Sequence, residues 1–142
     1  MTLVDDTIAR INAGETGPML KLMNQTVVSI ADGKATVTAL PEMKFENSMG
    51  RMHGGFVATL IDTVLGCAVM SKLPQGTGYG TIDLNVKFVR KIDLGTGLLT
   101  ATATVLHAGR TMLTAEAKVA DSAGKLYAHG SGTFLVYPKQ SI

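Results

Sequence analysis

The sequence predicts an α+β protein, an antiparallel sheet of five to six strands wrapped around one long central helix. Three observations carry that prediction. Residues 56–70 form an apolar run broken by one charge, Asp62, which suits a largely buried helix. Residues 81–89 alternate, with Ile82, Leu84, Val86 and Phe88 on one side and Thr81, Asp83, Asn85 and Lys87 on the other, the period of a strand with one covered face. Short turn signals at Asp32-Gly33, Ala108-Gly109 and Ser122-Ala123-Gly124 join apolar segments at hairpin length, so those neighbours run antiparallel.

The elements follow in order. Leu3, Val4, Ile8 and Ile11 recur at helical spacing with Asp5, Asp6 and Arg10 opposite, so an N-terminal helix lies within 1–16, stopped by Gly14 and Gly17-Pro18. Strands are expected at 19–30 and 34–40, joined at Asp32-Gly33. Pro41 ends the second, and 44–52 loops into the central helix at 53–72. The glycine-rich segment 76–80 precedes a strand, whereas phosphate-binding loops precede a helix, so it is read as a strand terminus. Strands at 98–107, 110–121 and 125–137, rich in Thr, Val and Ala, complete the sheet.

Bulk properties narrow the class. One domain, 1–142, is expected from 142 residues, enough for a core without disulfides. Hydrophobic content of 46% and charged content of 17% describe a globular chain. A net charge of +2 with scattered Lys and Arg gives no phosphate-tracking stripe, and no nucleic-acid partner is expected. The lone cysteine, Cys67, fits a reducing compartment. The N-terminus carries two early acids and no apolar core, unlike a secretory signal. The run 56–70 is shorter than the roughly 20 residues a bilayer requires, with Asp62 near its centre, so no membrane association and a cytoplasmic location are expected.

The chemistry concentrates at 47–70. Asn47-x-x-Gly50-x-x-His53-Gly54-Gly55 precedes the helix, and Asp62 follows eight residues after Gly54. A lone carboxylate on an apolar helix is costly unless something uses or satisfies it. This pattern resembles the signature of hot-dog-fold acyl-CoA thioesterases, most closely the PaaI-type branch named for phenylacetate degradation. The likeness extends from the first hairpin to the last strand. A related branch, typified by 4-hydroxybenzoyl-CoA thioesterases, has glutamine and glutamate where this chain has Asn47 and Asp62. The resemblance implies acyl-CoA hydrolysis without a metal or bound cofactor, in a homodimer that pairs into a dimer of dimers. It also implies that Asn47 positions the carbonyl or the water, and that Thr81 hydrogen-bonds Asp62 or the water from the partner strand.

Physical chemistry supplies the remaining roles. The first N–H groups of a helix have no internal partner and sit at its positive end. Gly54 and Gly55 let a ligand approach that backbone closely, so Gly54 is the candidate oxyanion donor. Eight residues of helix put Asp62 about 12 Å further along the axis. One chain therefore cannot aim both groups at one carbonyl, and a site shared across a two-fold interface is expected. Asp62 would act there as nucleophile or as general base, and sequence does not choose. His53 is expected to shape the turn. Met49 and Met52 are candidates to line an acyl pocket, and Arg90, Lys91 and Arg110 to meet the phosphates of CoA. Cys67, in an apolar turn, is expected to be inert. His53, His107 and His129 lack metal-ligand spacing, so no metal is expected.

Two other readings share the fold. A hydratase or dehydratase of acyl-CoA would commonly place an aspartate-histidine pair on one loop, and no such pair occurs. A non-catalytic acyl-CoA-binding protein would use Asp62 only for packing.

Overall fold

The sheet is antiparallel throughout and has six strands in the order β1-β2-β4-β5-β6-β3. The computed structural model describes residues 2–137, so Met1 and 138–142 of the expected domain lie outside the described residues. Helix α1 (Leu3–Asn12) and a short α2 (Pro18–Leu22) precede β1 (Gln25–Ala31) and β2 (Lys34–Ala39). The central helix α3 (Gly54–Met70) follows, then β3 (Gly78–Phe88), β4 (Leu99–Ala108), β5 (Met112–Ala120) and β6 (Leu126–Tyr137). Packed across one face of the sheet, α3 touches every strand.

Local chemistry sets these elements. Asp32 and Gly33 both take positive φ, 39° and 79°, as a two-residue hairpin turn requires. The turn is fastened to the end of α3, because Gly33 N–H donates to Ser71 Oγ at 2.7 Å and Lys72 pairs with Asp32 at 3.0 Å. Small residues of the sheet lie beneath the helix, among them Ala101, Ala103, Ala115, Ala117 and Ala128. Gly130 on β6 has a closer constraint: a Cβ there would collide with the Asn85 carbonyl and press on Ile61. Phe56, Leu60, Ile61, Val64 and Leu65 fill the core between helix and sheet.

The first strand starts later than expected. Residues 19–22 belong to α2, because Gly17 turns left-handed at φ 58° and Pro18 then opens a helical turn, its favoured position. Asn24, at φ 55°, redirects the chain into β1. The free edge of β1 is partly covered by Asn12, whose side chain accepts from Val27 N–H at 2.8 Å and donates to Val27 C=O at 2.9 Å.

The alternation expected along β3 also breaks. Pairing with β6 slips between Thr81 and Asp83, a bulge that reverses the facing of everything beyond it. Thr81 therefore points at α3, bonding Asp62, while Val86 also packs on the core and Phe88 lies over Gly54. The covered face predicted for this strand is mostly open, with Ile82 50% and Phe88 57% exposed. The central helix is not buried all round either. Phe56, Val57, Leu60, Ile61, Val64, Leu65, Cys67, Ala68 and Val69 are buried, whereas Gly55 is exposed and Thr59, Asp62, Gly66 and Met70 are only partly covered.

Gln25, at the start of β1, is 3% exposed and neither amide atom has a hydrogen-bond partner among the described residues. A buried polar group left unpaired costs about 1–3 kcal/mol. Gln25→Met, similar in length and apolar, should therefore raise stability by about 1–2 kcal/mol, read as a higher urea midpoint with an unchanged slope. A lower midpoint would show that the amide is satisfied in the native state.

Candidate active site

At the start of α3 one donor remains open. Gly55 N–H donates to His53 Nδ1 at 2.8 Å, and Phe56 N–H donates to the His53 carbonyl at 2.9 Å. Gly54 N–H has no partner among the described residues, and Gly54 lines a cleft of about 290 Å³. Gly55 thus differs from expectation: its N–H is occupied by the capping imidazole and it does not line the cleft. His53 is the helix cap, and its own N–H is held by the Phe45 carbonyl at 2.8 Å.

The loop before the helix shapes the cleft's rim. Asn47 Oδ1 accepts from Met49 N–H at 2.9 Å and from Arg51 N–H at 3.2 Å, which closes the turn over Gly50. Its amide Nδ2 has no partner among the described residues. Asn47, Met49, Met52, Arg90 and Lys91 line this same cleft, so the structure gathers most of the expected binding residues around Gly54. Arg51 lines it too, a cation not expected from sequence although it sits inside the motif. Arg90 is held in place as its Nε donates to the Leu126 carbonyl at 3.1 Å. Arg110 is elsewhere: it lies in the β4–β5 turn, at the end of the sheet where β3 begins, while Arg90 and Lys91 follow the other end of β3.

Asp62 opens into a second cleft, of about 380 Å³, whose walls include Thr81, Gly66, Cys67 and Tyr79. Thr81 Oγ1 donates to Asp62 Oδ1 at 2.8 Å within one chain, rather than from a partner's strand. That bond fixes one carboxylate oxygen and leaves Oδ2 free of hydrogen bonds among the described residues. Burial pushes the Cys67 thiol up to about 11, so it stays protonated and unreactive at neutral pH. Tyr79 is pushed up to about 12, first by burial and then by the neighbouring Cys67 and Asp62, which leaves it a neutral wall. Neither Gly66 nor Tyr79 stands out in the sequence. The only hint is a glycine inside an otherwise good helix.

Gly54 and Asp62 thus face different clefts of the same chain, as their separation along α3 requires. Among the described residues no group of three or more His, Cys, Asp and Glu could hold a metal ion, and no helix is long and apolar enough to cross a membrane.

Residues 49–128, which include Gly54, Asp62 and Thr81, match the profile of the thioesterase superfamily. The chain belongs to the thioesterase superfamily. Its reaction class is thioester hydrolysis, and its fold is the hot-dog fold of the PaaI-like type. Human acyl-coenzyme A thioesterase 13 is 32% identical over 109 residues, 76% of each chain. A Streptococcus mutans protein solved with acetyl CoA bound is 26% identical, with a TM-score of 0.74 over 83% of this chain and 92% of that one. The E. coli PaaI protein of the phenylacetic acid degradation operon shares the fold, with a TM-score of 0.84 at 24% identity over 98% and 99% of the two chains. Within this superfamily member, the matched segment runs from the loop at Met49 through α3 and β3 to Ala128 on β6, and so takes in Gly54 and Asp62 but not the N-terminal wall of the second cleft.

Proposed function

We propose that the chain is an acyl-CoA thioesterase that works as a homodimer, each of two equivalent sites drawing Gly54 from one subunit and Asp62 from the other. The observation that carries this reading is the placement of the free helix N–H and the Thr81-oriented carboxylate in separate clefts of one chain. Neither cleft holds both a carbonyl-polarising donor and a base.

Two surfaces support a second copy. Among the described residues, strand β3 is an unpaired sheet edge of 11 residues carrying exposed Ile82, Leu84 and Phe88, a surface that proteins rarely leave bare. Beside it lies the partly exposed face of α3 that carries Gly55, Thr59 and Asp62, small enough for close approach. Antiparallel pairing of two β3 strands about a dyad near Leu84 and Asn85 sets Phe88 opposite the partner subunit's Thr81. Since Phe88 lies over Gly54 and Thr81 bonds Asp62, that pairing brings the two clefts together twice.

In the joined site the thioester carbonyl accepts from Gly54 N–H, with Asn47 Nδ2 beside it. Asp62 Oδ2 then attacks the carbonyl carbon, or takes a proton from a water that attacks. Negative charge gathers on the carbonyl oxygen, where the helix N-terminus stabilises it. The C–S bond breaks and the electron pair leaves on sulfur. A thiolate needs little help from an acid, because thiols are far stronger acids than the alcohols that oxygen esters release. In the nucleophilic route, water then cleaves the Asp62 anhydride. Arg51, Arg90 and Lys91, at the rim of the Gly54 cleft, suit the phosphates of CoA. The acetyl CoA held by the S. mutans relative and the activity in the human relative's name lend support.

Release of free thiol from a panel of acyl-CoAs, with Asp62→Ala and Asp62→Asn beside the parent, tests the reaction. The parent should liberate CoA and carboxylic acid, and both variants should fail. A parent that binds acyl-CoA without turnover, or that alters the acyl chain with the thioester intact, would overturn the reading.

A further inference from the structure

Gly66 sits inside α3, one turn before its last residue Met70, where glycine is among the poorest helix formers. Its φ is not in the left-handed range, and a Cβ there would meet only Tyr79 Cε2 at 3.8 Å and Phe134 Cε1 at 3.9 Å, ordinary contacts. Neither backbone conformation nor packing within the chain calls for glycine. What a side chain would take up is the floor of the cleft that begins at Asp62. The walls beyond Asp62 are mainly apolar: Ile11 and Leu20 from the N-terminal segment, Met70 from the end of α3, and the Tyr79 and Phe134 rings, tilted with centroids 6.3 Å apart.

We propose that this cleft receives the acyl tail, that Gly66 sets the room for it, and that the enzyme prefers apolar acyl groups longer than acetyl. The proposal rests on the thioesterase reading above and deepens it. With the carbonyl carbon at Asp62 and CoA leaving toward Arg90 and Lys91 of the other subunit, the acyl chain has one way to go, along α3 past Gly66 toward Met70. Met70 and Tyr79 also border a neighbouring cleft of about 420 Å³ beneath Leu3, Val4 and Leu73, so these two side chains close the far end. The segment from Ile11 to Leu20 forms the outer wall, and the core of the sheet the inner one.

The test compares kcat/KM for acetyl-CoA, hexanoyl-CoA and phenylacetyl-CoA in the parent, Gly66→Ala and Gly66→Val. A misfitted methyl or methylene in an apolar pocket is worth about 10- to 200-fold in discrimination. The preference for the longer acyl groups over acetyl should therefore fall about tenfold in Gly66→Ala and further in Gly66→Val. Thermal unfolding of Gly66→Ala should be no lower than the parent's, alanine being the better helix former. A preference that does not move, or a Gly66→Ala protein that loses stability or dissociates, would overturn the proposal, because glycine would then serve packing. A parent that hydrolyses none of the thioesters would instead sink the thioesterase reading. Titration calorimetry of hexanoyl-CoA against acetyl-CoA on Asp62→Asn, with and without Gly66→Val, reads the cleft independently of turnover. The longer ligand should bind tighter and lose that advantage with valine; equal binding throughout would contradict the assignment.

Discussion

Asp62→Asn should lower the turnover of thioesters by about 10²- to 10⁴-fold, the range expected when a positioned acid-base group is lost. Asparagine has nearly the shape of aspartate and still offers Oδ1 to the Thr81 hydroxyl, which now donates at 2.8 Å. The side chain should therefore keep its place, and α3 and β3 should stay joined. What disappears is the negative charge on the second oxygen, the one aimed away from Thr81. As a nucleophile or as a base that oxygen needs its charge, so kcat should fall while KM changes little. Steady-state thiol release at saturating substrate, with circular dichroism as the check on folding, measures both. A kcat within a few-fold of the parent's would mean that the carboxylate only packs.

Gly54→Pro should cost about 100- to 1000-fold in rate, the loss seen when one oxyanion donor is removed. Proline deletes the Gly54 N–H, which has no partner among the described residues, and leaves the helix itself intact. Gly54 is the first residue of α3, where proline is favoured. The preceding His53, at φ −57° and ψ 140°, already has the extended backbone that precedes proline. Gly54→Ala is the companion variant, since it retains the N–H. Its Cβ would stand 3.3 Å from the Phe88 ring edge, and that exposed ring can shift, so alanine should lose far less activity than proline. Equal losses in the two variants would assign Gly54 to packing against Phe88 rather than to the oxyanion.

Much of this arrangement is legible in sequence because it depends on local rules. The apolar run marks α3, Asp32-Gly33 marks the first hairpin, and the helical rise by itself separates Gly54 from Asp62. What escapes depends on contacts that spacing does not encode. Residues 19–22 look apolar enough for a strand, but Gly17 and Pro18 start a helical turn there. Strict alternation puts Thr81 on the face opposite Val86 and Phe88. Only the pairing with β6 reveals the bulge that turns all three toward α3. Gly55 resembles a second donor in sequence, yet its N–H is taken by the His53 ring. Arg110 resembles Arg90 as a turn-adjacent cation, yet sheet order sends them to opposite ends of the molecule.

The sharing of each site between two chains is open to direct measurement by coexpressing Asp62→Asn with Gly54→Pro. Each variant alone should be nearly inactive. In a mixed dimer, however, one site joins an intact Gly54 from the first chain to an intact Asp62 from the second. Random assembly should then restore about a quarter of the parental rate, half the dimers being mixed with one good site of two. If instead the coexpressed protein, shown by mass spectrometry to contain mixed dimers, stays as inactive as its parts, both groups act within one chain and the two-chain site is wrong.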